Sequence, residues 1–400
     1  MQVARKAAAA RLAAMGLPGR RDEYWRWTDP APLAAEAAPE AEAFRVDTPI
    51  FSGRDKLRLV FTDGVFDAAA SDSGALEGVE ISRLATGADW AADFYGSLEA
   101  AGQDPVRRPF AAQNTARASD GLLIRVTARA AKPLHISYRQ SSSTSDAILH
   151  HCITLDPGAE LTVLETGTAG ARANLVTEVE VGAGARFHHI RPQGRSTGHR
   201  VYSAIFARVA ADALFKSFTL SMNGRLTRSE AVIEMAGDRG VAHVAGAALG
   251  DGADGAFHHD DTVFITHGAV GCESRQVFKK VLRHGATGIF QGKILVRPAA
   301  QKTDGYQISQ ALMLDDLCQF LAKPELEIYA DDVKCSHGST TGAIDETALF
   351  YLRSRGVPRE QAVSLLVLSF LADAIDEIDD EAIAGDILAR LEEWLAGHRG

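Results

Sequence analysis

DPGAEL from Asp156, VGAGARF from Val181, VAADALF from Val209 and HGATGIF from His284 decide how the middle of this chain is read. Each is a small-residue turn running into an apolar strand residue, and the intervals between them are of the order of one coil of a solenoid. Around them lie LLIRVTA, LHISYRQ, LTVLET, LVTEVEV, FHHIRP and ILVRP, short runs between about Gly121 and Ala330 that alternate with the period of two of a half-buried strand. Almost no helix-length pattern separates these runs, which disfavours a βαβ sheet. A β-helix or a large sandwich remains.

Toward the C-terminus the pattern reaches KPELEIYADDVKCSHGSTTGAID, which begins at Lys323. Glu325, Glu327 and Tyr329 alternate with Leu326, Ile328 and Ala330, as in a strand with one buried face. Cys335 and His337 follow at positions i and i+2, so on an extended backbone both point to one face with Cα atoms ~6–7 Å apart. Thiolate and imidazole are ligands for iron, zinc and iron–sulfur clusters. Two ligands do not make a site, and the same pair also reads as a packed thiol beside a hydrogen-bonded histidine. Gly338 and Gly342 bracket a predicted loop that enters a helix near Asp345.

Beyond that point the chain reads as helical, with Asp345 as an N-cap, Gly356 as a stop and Pro358 opening the next helix. AVSLLVLSFLA, from Ala362, is apolar nearly all round and too short to span a bilayer, so it calls for burial on more than one side. A last helix carries Ile383, Ile387, Leu391 and Leu395 in one stripe.

At the other end, residues 1 to about 110 are rich in alanine and charge. Helical stretches are predicted near Val3 to Met15 and Asp89 to Ala100, with a hairpin over LRLVFTDGVF from Leu57 turning at Asp-Gly. The aromatic run around Trp25 and Trp27 is expected to pack this region onto the central domain. Arg5, Lys6 and Arg11 interrupt the first apolar stretch, which therefore lacks the core of a secretory signal.

A net charge of -10 in 400 residues and a pI near 5.7 argue against a nucleic-acid binder, which needs a basic face. Four cysteines, Cys152, Cys272, Cys318 and Cys335, are scattered without a Cys-x-x-Cys, so neither a disulfide framework nor a zinc ribbon is signalled. The pattern is that of a cytosolic protein. His150-His151, His188-His189 and His258-His259 are three adjacent pairs in the strand region; in each, one imidazole must face inward and one outward. A metal site would need partners from neighbouring coils, and satisfied polar ladders explain the pairs as well. QKTDGYQ from Gln301 lacks the pattern of a phosphate loop, and no GxSxG, HExxH or GxGxxG occurs in a credible context.

The run KPELEIYADDVKCSHGSTTGAIDETALFYLRSR from Lys323, FQGKILVRPAAQKTDGYQ from Phe290, GLPGRRDEYWRWTD from Gly16 and QNTARASDGLLIRV from Gln113 together resemble the SufB/SufD family of iron–sulfur cluster assembly proteins, on its SufD side. The resemblance implies a mostly β fold: a right-handed parallel β-helix over 113–335, a mainly helical N-terminal cap over 1–112 and a helical C-terminal domain over 336–400, with both helical regions capping the solenoid ends. It implies a cytoplasmic, non-enzymatic scaffold of a SufBCD-type complex with no membrane insertion. His337, and with it Cys335, would face a SufB-like subunit and help hold a transient iron–sulfur cluster, with no permanent cofactor in the isolated chain. The C-terminal helices, through Leu365, Leu366, Phe370 and Leu371, would dock a SufC-like ABC ATPase. Two other readings stand beside it: a metal-dependent enzyme using the histidine pairs on a β-solenoid or cupin-like scaffold, and the SufB paralogue itself, for which more cysteines are expected.

Overall fold

Alternation of strands between two faces builds this molecule. A computed structural model describes residues 1–42, 49–194, 196–253 and 255–397. The N-terminal part carries helix α1 (Gln2–Met15), the short α2 (Ala31–Ala34), strands β1 (Leu57–Thr62), β2 (Val65–Phe66) and β3 (Val79–Arg83), and helices α3 (Ala91–Phe94), α4 (Ser97–Ala101) and α5 (Pro109–Arg117). From there the chain winds as a β-solenoid of about eight turns. One sheet takes the even strands β4 (Leu122–Val126), β6 (Asp146–Leu155), β8 (Arg172–Val181), β10 (Arg200–Val209), β12 (Leu226–Met235), β14 (His258–His267), β16 (Thr287–Val296) and β18 (Gln319–Ile328). The other takes the odd strands β5 (Leu134–Arg139), β7 (Glu160–Gly167), β9 (Arg186–Pro192), β11 (Leu214–Ser221), β13 (Val241–Asp251), β15 (Glu273–Arg283), β17 (Thr303–Met313) and β19 (Val333–Gly342). All neighbours within these two runs are parallel, and a coil takes 26 to 32 residues, the limits set by Arg200 opposite Leu226 and Thr287 opposite Gln319.

The corner from an even strand to the next odd one is made the same way six times, after each even strand from β6 to β16. Gly158, Gly184, Asp212, Arg239, Gly271 and Lys302 occupy it in successive coils, each with φ between 56° and 75°. Three of the quoted turns, those at Asp156, Val181 and Val209, are this corner. HGATGIF is the opposite one, where His284 and Gly285 are both left-handed. The Asp63-Gly64 turn closes the predicted hairpin, and β1 then joins the odd sheet in parallel beside β5.

The two ends of the solenoid differ. At its start, β2 lies antiparallel on β1 and β3 antiparallel on β4, so both sheets finish on short reversed strands that stop further pairing. At its other end β18 pairs only with β16 and β19 only with β17 among the described residues. Helix α6 (Glu346–Ser354) leads into α7 (Arg359–Ile375) and α8 (Glu381–Gly397), and α7 and α8 do not cap that end, contrary to expectation. Val367, Leu371 and Ile375 of α7 and Ile383, Ile387 and Leu391 of α8 instead share one core with Ala245, Ala247, Leu249, Val277 and Val281 on the outer face of the odd sheet. Apolar outward positions on β13 and β15 draw the helices sideways. Asp345 caps α6 as expected, its carboxylate accepting from the amides of Thr347 and Ala348.

The N-terminal helices likewise cover a face, that of the even sheet. Trp25 packs on Phe110 and stacks over the guanidinium of Arg228 at 4.0 Å, so this tryptophan fastens the cap as expected. Beneath it Arg228 pairs with Asp260 at 2.5 Å and Glu230 at 2.8 Å, and Thr28 donates to Asp260 at 2.6 Å. All four are buried. None of the described helices is long and apolar enough to cross a membrane.

Candidate functional site

The open last coil is the place where chemistry-bearing residues meet an unsatisfied backbone. Cys335 and His337 lie within β19, which continues to Gly342, so the predicted loop after His337 is strand and the solenoid extends past residue 335. Cys335 stands opposite Gly305 and His337 opposite Gln307. The Cys335 side chain packs in a small cluster with Ile294, Val296, Ala300 and Ala330, which puts it on the inner face of the solenoid. His337, two residues on, shares that face. Burial pushes the Cys335 thiol above its ordinary pKa, and Asp304 adds to the rise. His337 is exposed, and its imidazole makes no hydrogen bond to a described residue.

On the facing strand, Phe320, Ala322, Pro324, Leu326 and Ile328 occupy the register positions in line with the inward residues of β16. Pro324 sits where no ladder donor is required of it, on an edge strand. Outward, Glu325 accepts from Tyr24 Oη at 2.8 Å and Glu327 pairs with Lys293 at 2.5 Å, so the N-terminal segment steadies β18 from behind. Ile328 and Tyr329 are 39% and 60% exposed at its end. Together β18 and β19 present two long, parallel edges, unpaired among the described residues, with a thiol and an imidazole on the inner lip. Such edges are templates for another sheet, and two donors leave a metal cluster short of ligands.

The odd-sheet inner face leads to this lip through a polar ladder: Gln276 accepts from Gln307 Nε2 at 3.0 Å, and His337 is the next rung. Deeper in the lumen stand Glu165, His189, Arg191, Asp261 and Lys280. Burial alone would raise Glu165, yet His189 and Arg191 hold it down at about 2. Lys280 donates to Asp261 at 2.5 Å and meets His259 Nδ1 at 2.9 Å. Sequence reading passed over Glu165, Arg191, Gln276, Lys280 and Gln307. Their strand alternation was a signal for a face, but not for which face was inside.

The histidine pairs do split inward and outward. His151, His189 and His259 face the lumen; His150, His188 and His258 face the covering segments. His151 lies 3.0 Å from Tyr138 Oη, His189 2.9 Å from Ser217 Oγ and His258 3.0 Å from Thr28 Oγ1. Burial lowers His151 to about 4 and His259 well below its ordinary value. The pairs sit in separate coils and converge on no common centre.

On the C-terminal helices, Leu365 is 45% exposed and Leu366 and Phe370 are half-buried. Leu371 is fully buried against the odd sheet; it is a core residue and is closed to any docking partner. Lys279 Nζ lies 4.9 Å from the Phe370 ring centroid. Phe350 and Tyr351 of α6, 73% and 54% exposed, were not singled out from sequence although the FY dipeptide was there to find. The four cysteines remain free thiols, and Cys152, Cys272 and Cys318 are buried.

Residues 138–370 match the family model for the SufBD core domain of the SUF iron–sulfur cluster assembly system. Along 96% of its length the chain is 29% identical to the iron–sulfur cluster assembly protein SufD of Escherichia coli, covering 90% of that protein. It is 25% identical to an iron–sulfur cluster assembly SufBD family protein of Synechocystis, over 95% of this chain and 88% of that one. With SufD of Bacillus subtilis it shares 26% identity, over 65% of this chain and 60% of the relative.

Proposed function

Since this chain belongs to the SufBD family of iron–sulfur cluster assembly proteins, on its SufD side, we propose that it is the non-catalytic, cytoplasmic scaffold subunit of a SufBCD-type complex. The observation that carries this reading is the asymmetry of the solenoid: closed by reversed strands at one end and, among the described residues, left with two free parallel edges at the other. A SufB-like solenoid continuing both sheets would satisfy the edge groups of β18 and β19. Across that junction His337, with Cys335 beside it, supplies part of the ligand set for a transient cluster, and the partner supplies the rest. The cluster is cargo here. A SufC-like ABC ATPase docks on the apolar surface of α6 and α7, through Phe350, Tyr351, Leu365, Leu366 and Phe370.

Two arguments set aside the other readings. The histidine pairs are separated and engaged within the fold, which gives a metal-dependent enzyme no open centre. Four cysteines, three of them buried, suit a sulfur-accepting paralogue poorly. The experiment is co-expression with a SufB-like and a SufC-like subunit followed by affinity capture through this chain. Recovery of both partners supports the reading; recovery of neither, from a folded chain, refutes it.

A further inference from the structure

His150 differs from the other outward histidines in the company it keeps. It stands two residues from Cys152 on β6, and Glu178, on β8 in the next coil, is in register with Cys152. All three are fully buried beneath the N-terminal helices, and their ligand atoms lie within 4.8 Å of one another. Nε2 of His150 is 3.0 Å from Oε2 of Glu178, and Sγ of Cys152 is 3.9 Å from the same oxygen. Bonds of ~2.0–2.3 Å to a tetrahedral zinc require donor separations of roughly 3.3–3.6 Å, so small side-chain shifts would fit the three around one ion.

Hydrogen bonding then exposes a conflict that an ion resolves. Asn114 donates through Nδ2 to the carbonyls of Leu149 at 2.9 Å and Asn174 at 2.8 Å, which turns its Oδ1 toward His150 Nδ1 at 3.0 Å. Nδ1 therefore carries the hydrogen. Glu178 accepts from the amides of Gly96 at 2.6 Å and Glu99 at 2.7 Å. With the hydrogen on Nδ1, the Nε2 lone pair faces Oε2 of Glu178 at 3.0 Å inside the fold. That contact needs a shared proton or a metal ion between the two atoms.

We propose that His150, Cys152 and Glu178 form a buried site for a borderline divalent transition-metal ion, zinc or ferrous iron. The mixed nitrogen, sulfur and oxygen donors suit those ions rather than magnesium or calcium. The Nδ1 contact to Asn114 is the outer hydrogen bond that orients metal-bound histidines. Binding displaces the Cys152 thiol proton and any proton on His150 Nε2, both of which leave to solvent. Burial holds that thiol well above its ordinary pKa, a cost that the metal–sulfur bond offsets. The ion would tie β6 and β8 to the turn before α4, and its enclosure means that it enters before the helices close and exchanges slowly.

The test is metal analysis of the purified full chain made in zinc- and iron-replete medium, together with refolding in cobalt(II). About one equivalent of zinc or iron per chain is expected, resistant to EDTA, lost in Cys152→Ser and Glu178→Gln and retained in Cys335→Ser. Cobalt refolding should give the near-ultraviolet absorption of a thiolate–cobalt bond, a readout that needs no variant to fold. Trace metal in the purified protein and no such band after cobalt refolding would overturn the site and leave a proton between His150 and Glu178.

Discussion

Gln307 and His337 stand directly opposite each other on the last two strands of the odd sheet, the first fully buried with an unpartnered Oε1 and the second open to solvent. One strand separates a packed interior from an unfinished one. The position of His337 is thus defined by the solenoid behind it, while its ligand partners must come from in front.

Strand addition at β19 can be tested with proline. Of two adjacent substitutions, Ser339→Pro and Thr340→Pro, one removes a donor from the ladder to β17 and the other a donor facing solvent. The second variant should melt like the wild type and fail to co-purify with the SufB-like subunit. Co-purification of both variants at the wild-type level would rule out edge pairing.

Charge on the exposed part of the C-terminal helices should block the ATPase subunit. Phe350 and Leu365 are 73% and 45% exposed, so Phe350→Asp with Leu365→Asp leaves the core intact and places carboxylates in an apolar contact. Capture of the ATPase should fall at least tenfold, a loss of roughly 1.4 kcal/mol or more, with the melting temperature unchanged. Wild-type capture would move the docking surface elsewhere. Leu371→Asp is the contrasting variant: it should unfold the domain.

Acidification should destabilise the fold before most carboxylates titrate. Burial lowers His135, His151, His199 and His267 each from 6.5 to about 4. The unfolded chain takes up these protons as pH falls through 6.5, whereas the native state stays neutral until about 4. Stability is therefore complete above that window and falls through it, by about 1.4 kcal/mol per pH unit for each histidine. Calorimetry between pH 7.5 and 5 should show a steep fall in melting temperature, less steep in His267→Gln. A flat profile would contradict the burial of these imidazoles as neutral groups.

Asp260→Asn should loosen the N-terminal segment. It leaves the buried Arg228, held at 2.5 Å by Asp260, with Glu230 as its one paired carboxylate, and breaking such a pair costs about 3 kcal/mol. The expected result is a lower melting temperature with faster proteolysis between Gly16 and Pro30. Unchanged melting and an intact N-terminus would show that Trp25 and its apolar neighbours fasten the cap unaided.

Much of this architecture was legible in the chain. Period-two runs marked the strands, the inward and outward split of each histidine pair followed from alternation alone, and Asp345 was readable as a cap because its carboxylate precedes an apolar helical run. The placement of the helical regions was not. A stripe such as Val367, Leu371 and Ile375 says that one side of a helix is buried, not whether the end or the face of a solenoid buries it. The inner polar residues were also hidden: Glu165 and Lys280 resemble solvent-facing charges until coil lengths that vary between 26 and 32 residues are known. His150, Cys152 and Glu178 meet only once β6 and β8 are in register. The SufBD resemblance supplied the choice of solenoid over sandwich, which periodicity left open.

Anaerobic reconstitution of the purified three-protein complex, read by visible absorbance and iron content, tests the role of the open coil most directly. His337→Ala removes an exposed imidazole and no buried apolar group, so the complex should assemble normally and its cluster yield should drop severalfold. Cys335→Ser should have an equal or smaller effect, since its thiol already packs against Ile294 and Val296. The chain alone should hold little or no cluster, because two donors are too few. Wild-type cluster yield from a fully assembled His337→Ala complex would contradict the account.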